Sequence, residues 1–196
     1  MYLDRARVPG DQRVGEAGDG WRVANATLSS ERQMVAGAGS GGVDRIGGSG
    51  VDHSIHLVHR RGLAAVPVVR QRLATVFAEE QIRAWTNARA RAARAAGRAP
   101  GPESSVGKVH SAELNQRLQL LATDLLGPDA AARDAGRADY PTGLAREVHG
   151  MLRSRANTIE GGTSEVNRTI IAERVLGLPR DPDPWRDAPW REVPRS

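Results

Sequence analysis

The chain has 196 residues, with 28 Lys+Arg against 23 Asp+Glu and no cysteine, a mean hydropathy of −0.47 and a sequence pI of about 10.8. That length suits one domain with a real core. The missing cysteines exclude a disulfide scaffold, a thiol nucleophile and every Cys-based zinc or iron–sulfur site. No apolar run approaches the roughly 18 residues of a membrane span and no charged-then-apolar signal segment opens the chain, so the expected address is the cytoplasm.

In chain order, residues 1–26 read as strand pieces joined by turns: Tyr2-Leu3-Asp4, Val8-Pro9-Gly10 and Trp21-Arg22-Val23. Such pieces cannot close a sheet by themselves. A helical pattern begins at Thr27, with Ser29 or Ser30 as its cap, and the glycines from Gly37 to Gly50 either break that helix or serve close packing. A second helix spans about 66–96, with Pro67 in its first turn and Val69, Leu73, Phe77 and Trp85 on its inner face. A third runs from Ser104 or Ser105 to Gly127-Pro128 and carries Val106, Val109, Leu114, Leu118, Leu121 and Leu125 on one stripe. A shorter helix follows from about Thr142 to Arg153, and a last one starts at Thr163 or Ser164, turns Val166, Ile170, Ile171 and Val175 inward, and ends at Gly177-Leu178-Pro179. The expected fold is therefore mainly α: an antiparallel four-helix-type bundle over 27–179, preceded by a short β remnant over 1–26 and followed by an irregular tail over 180–196 in which Trp185 and Trp190 pack on a surface or partner.

A pI this high often marks a nucleic-acid binder. Here the cations are almost all arginine and are spread along the chain among acids. The densest group, Arg83, Arg89, Arg91, Arg94 and Arg98, sits in an alanine-rich stretch that reads as a solvated helix face, so no nucleic-acid partner is expected and a basic nucleic-acid-binding helical protein stands only as the remote alternative. His53, His56, His59, His110 and His149 have no acids at metal-site spacing, so no metal is expected, and the glycine run 37–42 lacks the Lys-Ser/Thr of a phosphate loop.

The stretch from Arg155-Ala156-Asn157-Thr158-Ile159-Glu160-Gly161-Gly162-Thr163-Ser164-Glu165 to Gly177-Leu178-Pro179 holds the chemistry. Two glycines let backbone approach a ligand closely, and Thr163-Ser164 open a helix whose free N–H groups suit an anion, although the same residues make an ordinary helix start. The string resembles the C-terminal signature of the acyl-CoA dehydrogenases, flavoenzymes that oxidise acyl-CoA thioesters to 2-enoyl-CoAs. Val8-Pro9, Gly15 and Gly18-Asp19-Gly20-Trp21 are similar to the last strands of that family's middle β-domain, and Thr27-Leu28-Ser29-Ser30-Glu31-Arg32 to the start of its helical domain. The likeness covers about the second half of a family member.

The resemblance implies FAD as cofactor, an acyl-CoA substrate, an electron-transferring flavoprotein as reoxidant, and a homo- or hetero-oligomer. In some members the base precedes the Gly-Thr of the signature, where this chain has Gly161. Others place it in a Glu-Arg pair early in the helical domain, which Glu31-Arg32 matches. Glu31 is thus the implied base, with Glu160 the alternative; Glu160 equally suits pairing with Arg153 or Arg155. Ser29, Arg32 and Gly162 are implied on the substrate side, and Thr163, Ser164 and Glu165 on the flavin side. Many members carry an Arg-x-x-Phe-Gly loop and a Gln-x-Leu-Gly-Gly-x-Gly turn that meet FAD across a subunit boundary. This chain reads His59-Arg60-Arg61-Gly62-Leu63-Ala64 and Asp124-Leu125-Leu126-Gly127-Pro128-Asp129 there, so neither region supplies a flavin residue. Beside the enzymatic reading stands that of a non-catalytic subunit assembling with a fuller homologue.

Overall fold

Leu114, Leu118, Leu121 and Leu125 recur at helical spacing and are each at most 5% exposed, and the helix that carries them is the element to which the others attach. A computed structural model describes residues 2, 4–35, 50–98, 102, 104–132, 145–185 and 188–194 of the chain. Its helices are α1 (Gly20–Val35), α2 (Val51–Arg60), α3 (Pro67–Ala95), α4 (Ser104–Leu126), α5 (Arg146–Ser154) and α6 (Ser164–Ile170). A 3₁₀ turn, Arg155–Thr158, follows α5, and a π turn, Ile171–Val175, continues α6. Helix α4 packs against α1, α2, α3, α5, the 3₁₀ turn and α6. The core joins its leucine stripe to Val51, Leu57 and Val58 of α2, Val76 of α3 and Val148 of α5. The helix ends where Gly127 takes φ +58° and Pro128 follows, a combination that stops helices because proline cannot continue the ladder.

The mainly helical bundle expected from the sequence is present, with corrections. The expected β remnant is absent from the description: no strand occurs among the described residues, and Trp21, Arg22 and Val23 lie in α1. Helix α1 therefore starts ahead of Thr27. At its head, Asp19 accepts from Val23 N–H on its carbonyl and from Arg22 on its carboxylate at 2.5 Å, which offers the start a lone strand piece lacks. Ser29 and Ser30 consequently sit inside the helix and are not caps. Residues 36–49, which hold most of the expected glycine break, lie outside the described residues, as do 142–144, where the shorter helix was expected to begin.

Helix α2 was not expected. Its inner face is Val51, Ser54, Leu57 and Val58, a short repeat broken by histidines, one of which, His53, places Nε2 at 2.6 Å from Glu147 Oε1 on α5. On α3 the inner face is rotated from the expected one. Val69 and Leu73 pack against the core and Val76 is buried, whereas Phe77 and Trp85 are 45% and 67% exposed. Arg83, read as part of a solvated face, is buried and bonds Glu80, with Nε 2.9 Å from Oε2. Val106 on α4, and Val166 and Val175 after Thr163, also face outward, and Ser164 and Asn167 are what α6 buries. Beyond Gly177 the described residues are irregular apart from a 3₁₀ turn at Trp190–Glu192, with Trp185 45% exposed; the side chain of Trp190 lies outside the description. Among the described residues no helix is long and apolar enough to cross a membrane.

The rotated face of α3 is open to a direct check. Leu118→Ala should cost about 2–5 kcal/mol in urea unfolding, because it leaves a cavity between α4 and its neighbours, while Phe77→Ala should cost less than half as much. Equal losses would return Phe77 to the core.

Candidate active site

The site is built on a row of polar side chains that α4 turns toward the segment 153–167. Lys108, Ser111, Asn115 and Gln119, spaced at three and four residues, are each at most 1% exposed. Gln119 Nε2 donates to Asn115 Oδ1 at 2.9 Å, Asn115 Nδ2 to Asn157 Oδ1 at 2.7 Å, and Asn157 Nδ2 to Glu160 Oε1 at 2.8 Å. Arg153 closes the relay, donating to both Glu160 oxygens at 3.1 and 3.0 Å. A buried polar chain of this kind fixes one geometry, since each member left unpaired loses its full solvation. Of the two arginines expected as partners for Glu160, the structure selects Arg153.

The relay holds the turn that follows. Gly161 and Gly162 take φ +66° and +85°, values that side-chain-bearing residues rarely adopt. Asn167, itself fully buried, stitches the turn by donating Nδ2 to the carbonyls of Gly162 and Thr163, both at 3.0 Å. Thr163 caps α6 by accepting from Val166 N–H at 3.2 Å. Ser164 is buried with no partner for Oγ among the described residues, while Glu165 is exposed. The backbone N–H of Glu165 itself, then the Thr163 hydroxyl, Arg168 and Lys108, hold its carboxyl below the usual carboxylate range. Arg168 lies 3.9 Å from Glu165 and also bonds Glu113, so the negative charge at this helix start is compensated by arginine.

Helix α1 delivers the remaining group. Gly161 N–H donates to Glu31 Oε1 at 3.0 Å across 130 residues of chain. The two places at which the family resemblance allowed a base, one on α1 and one at Gly161, therefore converge on a single point. The half-buried Glu31 also borders an open groove of about 660 Å³ whose walls include Val14, Val23, Ala26, Thr27 and Ser30. Ser29 and Arg32 belong to α1, but their side chains fall outside the described part of the structure. Glu31 thus meets the turn at Gly161, next to Gly162 and Thr163 in the chain, and Glu160 is committed to Arg153 and Asn157. Sequence reasoning missed Asn167, the Asn115–Asn157 link and Lys108. Only the last left a signal: it is the single lysine in the chain. The two regions with fragments of flavin motifs are bonded to each other, Arg61 to Asp129 at 2.5 Å.

A helical bundle that presents one carboxylate to a double-glycine turn beside a largely apolar groove suits proton abstraction from a bound substrate. Comparison with known proteins gives the class a family. The profile of the acyl-CoA dehydrogenase C-terminal domain matches residues 18–176. The acyl-CoA dehydrogenase IpdE1 of Mycobacterium tuberculosis is 36% identical over 187 residues, covering 92% of this chain and 44% of IpdE1. FadE34 of the same organism is 32% identical over 92% of this chain and 23% of its own length. Among solved structures, the Tcur3481-Tcur3483 steroid ACAD superposes with a TM-score of 0.70 at 26% identity, over 92% of this chain and 45% of that one. The ChsE4-ChsE5 complex from Mycobacterium tuberculosis gives 0.69 at 26%, over 92% and 46%. The chain belongs to the acyl-CoA dehydrogenase family and spans less than half the length of these relatives.

The stitched turn generates a stability prediction. A Cβ on Gly162 would lie 3.2 Å from Asn167 Nδ2 at φ +85°, so Gly162→Ala should lower unfolding free energy by roughly 1–3 kcal/mol. Thermal denaturation of the purified variant checks it, and an unchanged melting temperature would show that the turn is not held as described.

Proposed function

We propose that this chain serves α,β-dehydrogenation of an acyl-CoA thioester, with Glu31 as the base that removes the α-proton. The observation that carries the reading is the Glu31–Gly161 contact, which sets a carboxylate at the turn where substrate is expected and beside a groove with largely apolar walls. Gly162, whose missing side chain lets Asn167 close on the turn, is proposed on the substrate side by its place next to Gly161, and Ser29 and Arg32, on the same helix as Glu31, are proposed for the thioester end. A carboxylate positioned this way accelerates proton transfer by holding the acceptor at the carbon that must lose its proton. The relay from Gln119 to Arg153 keeps Glu160 out of the reaction and fixes the turn.

Fit to a flavin differs between regions. At the start of α6, Thr163 is half-buried and Glu165 is exposed with its charge compensated by Arg168, so these two would meet the FAD edge reached from this chain; the Ser164 hydroxyl, without a partner among the described residues, is closed from solvent and would join them only by turning outward. At the other two regions Arg61 is taken by Asp129, and neither residue is free for a diphosphate. Bound FAD supplies the acceptor for the β-hydride, and electrons then leave to an electron-transferring flavoprotein. Because only one of the three regions fits, the isolated chain should bind FAD weakly and act within an oligomer, with a second, fuller chain completing the site. The ChsE4-ChsE5 complex and the paired Tcur3481-Tcur3483 enzyme, both similar in structure to this chain, support that assembly.

The test is enoyl-CoA formation by the purified chain and by any complex in which it co-purifies, comparing wild type with Glu31→Gln and Glu160→Gln. Glu31→Gln should reduce turnover at least about 100-fold, the usual range for a lost general base, with Glu160→Gln affecting it less than tenfold. Full activity in Glu31→Gln would overturn the assignment. Purified chain that is yellow alone, and bleaches anaerobically with an acyl-CoA, would overturn the need for a second subunit.

A further inference from the structure

Helix α3 carries apolar residues on two opposite sides, and the bundle uses one of them. Val69, Leu73 and Val76 turn inward, whereas Ala74, Ala78, Ile82, Trp85 and Ala92 are all exposed. At about 100° per residue these five fall within roughly 80° of arc, on the side away from the core. Ile82 and Trp85 are 50% and 67% exposed, and among the described residues nothing covers them. Intervals of three, four and seven residues form a seam along which a second helix packs, the alanines leaving holes for its side chains. Burial of so large an apolar side chain as Trp85 is a gain that only docking can supply.

The free charges along this seam are of one sign. Arg89 lies on it and Arg70 at its edge, both exposed and without an ion pair among the described residues; Arg70 reaches only the Ala64 carbonyl, at 3.4 Å. The two acids of α3, Glu79 and Glu80, are taken by Arg117 of α4 and by Arg83. A second copy of this chain fits such a face poorly. Packed antiparallel about the Ala78–Ile82 stretch, it would set Arg89 against Arg70; packed parallel, it would set Arg89 against Arg89. Like charges so juxtaposed oppose docking, and a helix bearing Asp or Glu at those places gains instead.

The chain spans less than half the length of its relatives, and one solved relative is the ChsE4-ChsE5 complex. We propose that the outer face of α3 docks a longer acyl-CoA dehydrogenase chain, whose apolar helix face seats Ile82 and Trp85 and whose acids meet Arg70 and Arg89. This surface rests on the reading that a fuller chain completes the site, and does not depend on Glu31 as base. The apolar seam supplies affinity, and the arginines select a different chain over a second copy.

Photo-crosslinking of the full chain in its own cells tests the surface, with p-benzoylphenylalanine in place of Trp85 and, as a control, in place of the exposed Val8. Irradiation should join the Trp85 position to a longer chain of the family, identified by mass spectrometry at a helix that carries Asp or Glu, and leave the Val8 position unjoined to it. Crosslinks from Trp85 to a second copy, to nucleic acid or to no chain of the family would overturn the proposal. In the complex so identified, Ile82→Glu and Arg89→Glu should each weaken affinity at least about tenfold. The melting temperature of the uncomplexed chain should stay as in wild type, since both side chains point outward. Added salt should weaken the wild-type complex more than that of Arg89→Gln. An affinity indifferent to both charge substitutions would also overturn the proposal. A complex seated on α3 that forms no enoyl-CoA would uphold the docking surface and refute the dehydrogenase reading; an active complex whose longer chain crosslinks at Val8 and not at Trp85 would refute the surface alone.

Discussion

Helix α4 is buried on two adjacent faces of opposite character, and the rest of the structure depends on satisfying both. The leucine stripe Leu114, Leu118, Leu121, Leu125 faces the core shared with α2, α3 and α5, and the neighbouring stripe Lys108, Ser111, Asn115, Gln119 is as deeply buried but polar. Apolar burial supplies the driving force. The polar stripe supplies uniqueness, because amide groups removed from water must find particular partners. Asn115, braced by Gln119 on α4, donates to Asn157 in the segment between α5 and α6, so packing the bundle also shapes the Gly161–Gly162 turn. The site is a consequence of the core.

This coupling explains what the sequence could and could not reveal. The ends of α4 were legible because Ser104-Ser105 and Gly127-Pro128 are strong start and stop signals, and the cap at Thr163 for the same reason. Glu31 was found through a family resemblance, and no propensity or period marks it. The polar stripe was missed because periodicity methods look for apolar residues, and a helix with two buried faces has little contrast between its sides. Trp21 and Val23 read as strand because their β preference is local, whereas a strand needs a neighbour and a helix does not. On α3, Phe77 and Val76 stand one position apart, about 100° around the helix, and local sequence cannot choose which of two adjacent apolar residues turns inward.

The arginine excess has a comparable explanation. Arg61, Arg72, Arg117 and Arg168 each reach an acid on a different element, namely Asp129, Asp124, Glu79 and Glu113. Exposed pairs of this kind contribute at most about 1 kcal/mol each, but they tie loops and helix faces to one another and leave few of these cations for phosphate. Part of the charge that suggests a nucleic-acid binder from composition alone is thus paired inside the chain. Arg153, beside this group, bears directly on the site, since it holds Glu160.

The central claim is that α1 brings Glu31 onto the double-glycine turn. It is tested most directly by hydrogen exchange at one backbone amide. If Glu31 Oε1 accepts from Gly161 N–H as described, the Gly161 amide is protected in the wild-type chain and loses protection in Glu31→Ala, while amides inside α4 and α5 exchange as before. An exchange rate at Gly161 unaffected by Glu31→Ala would contradict the placement of Glu31 at the turn.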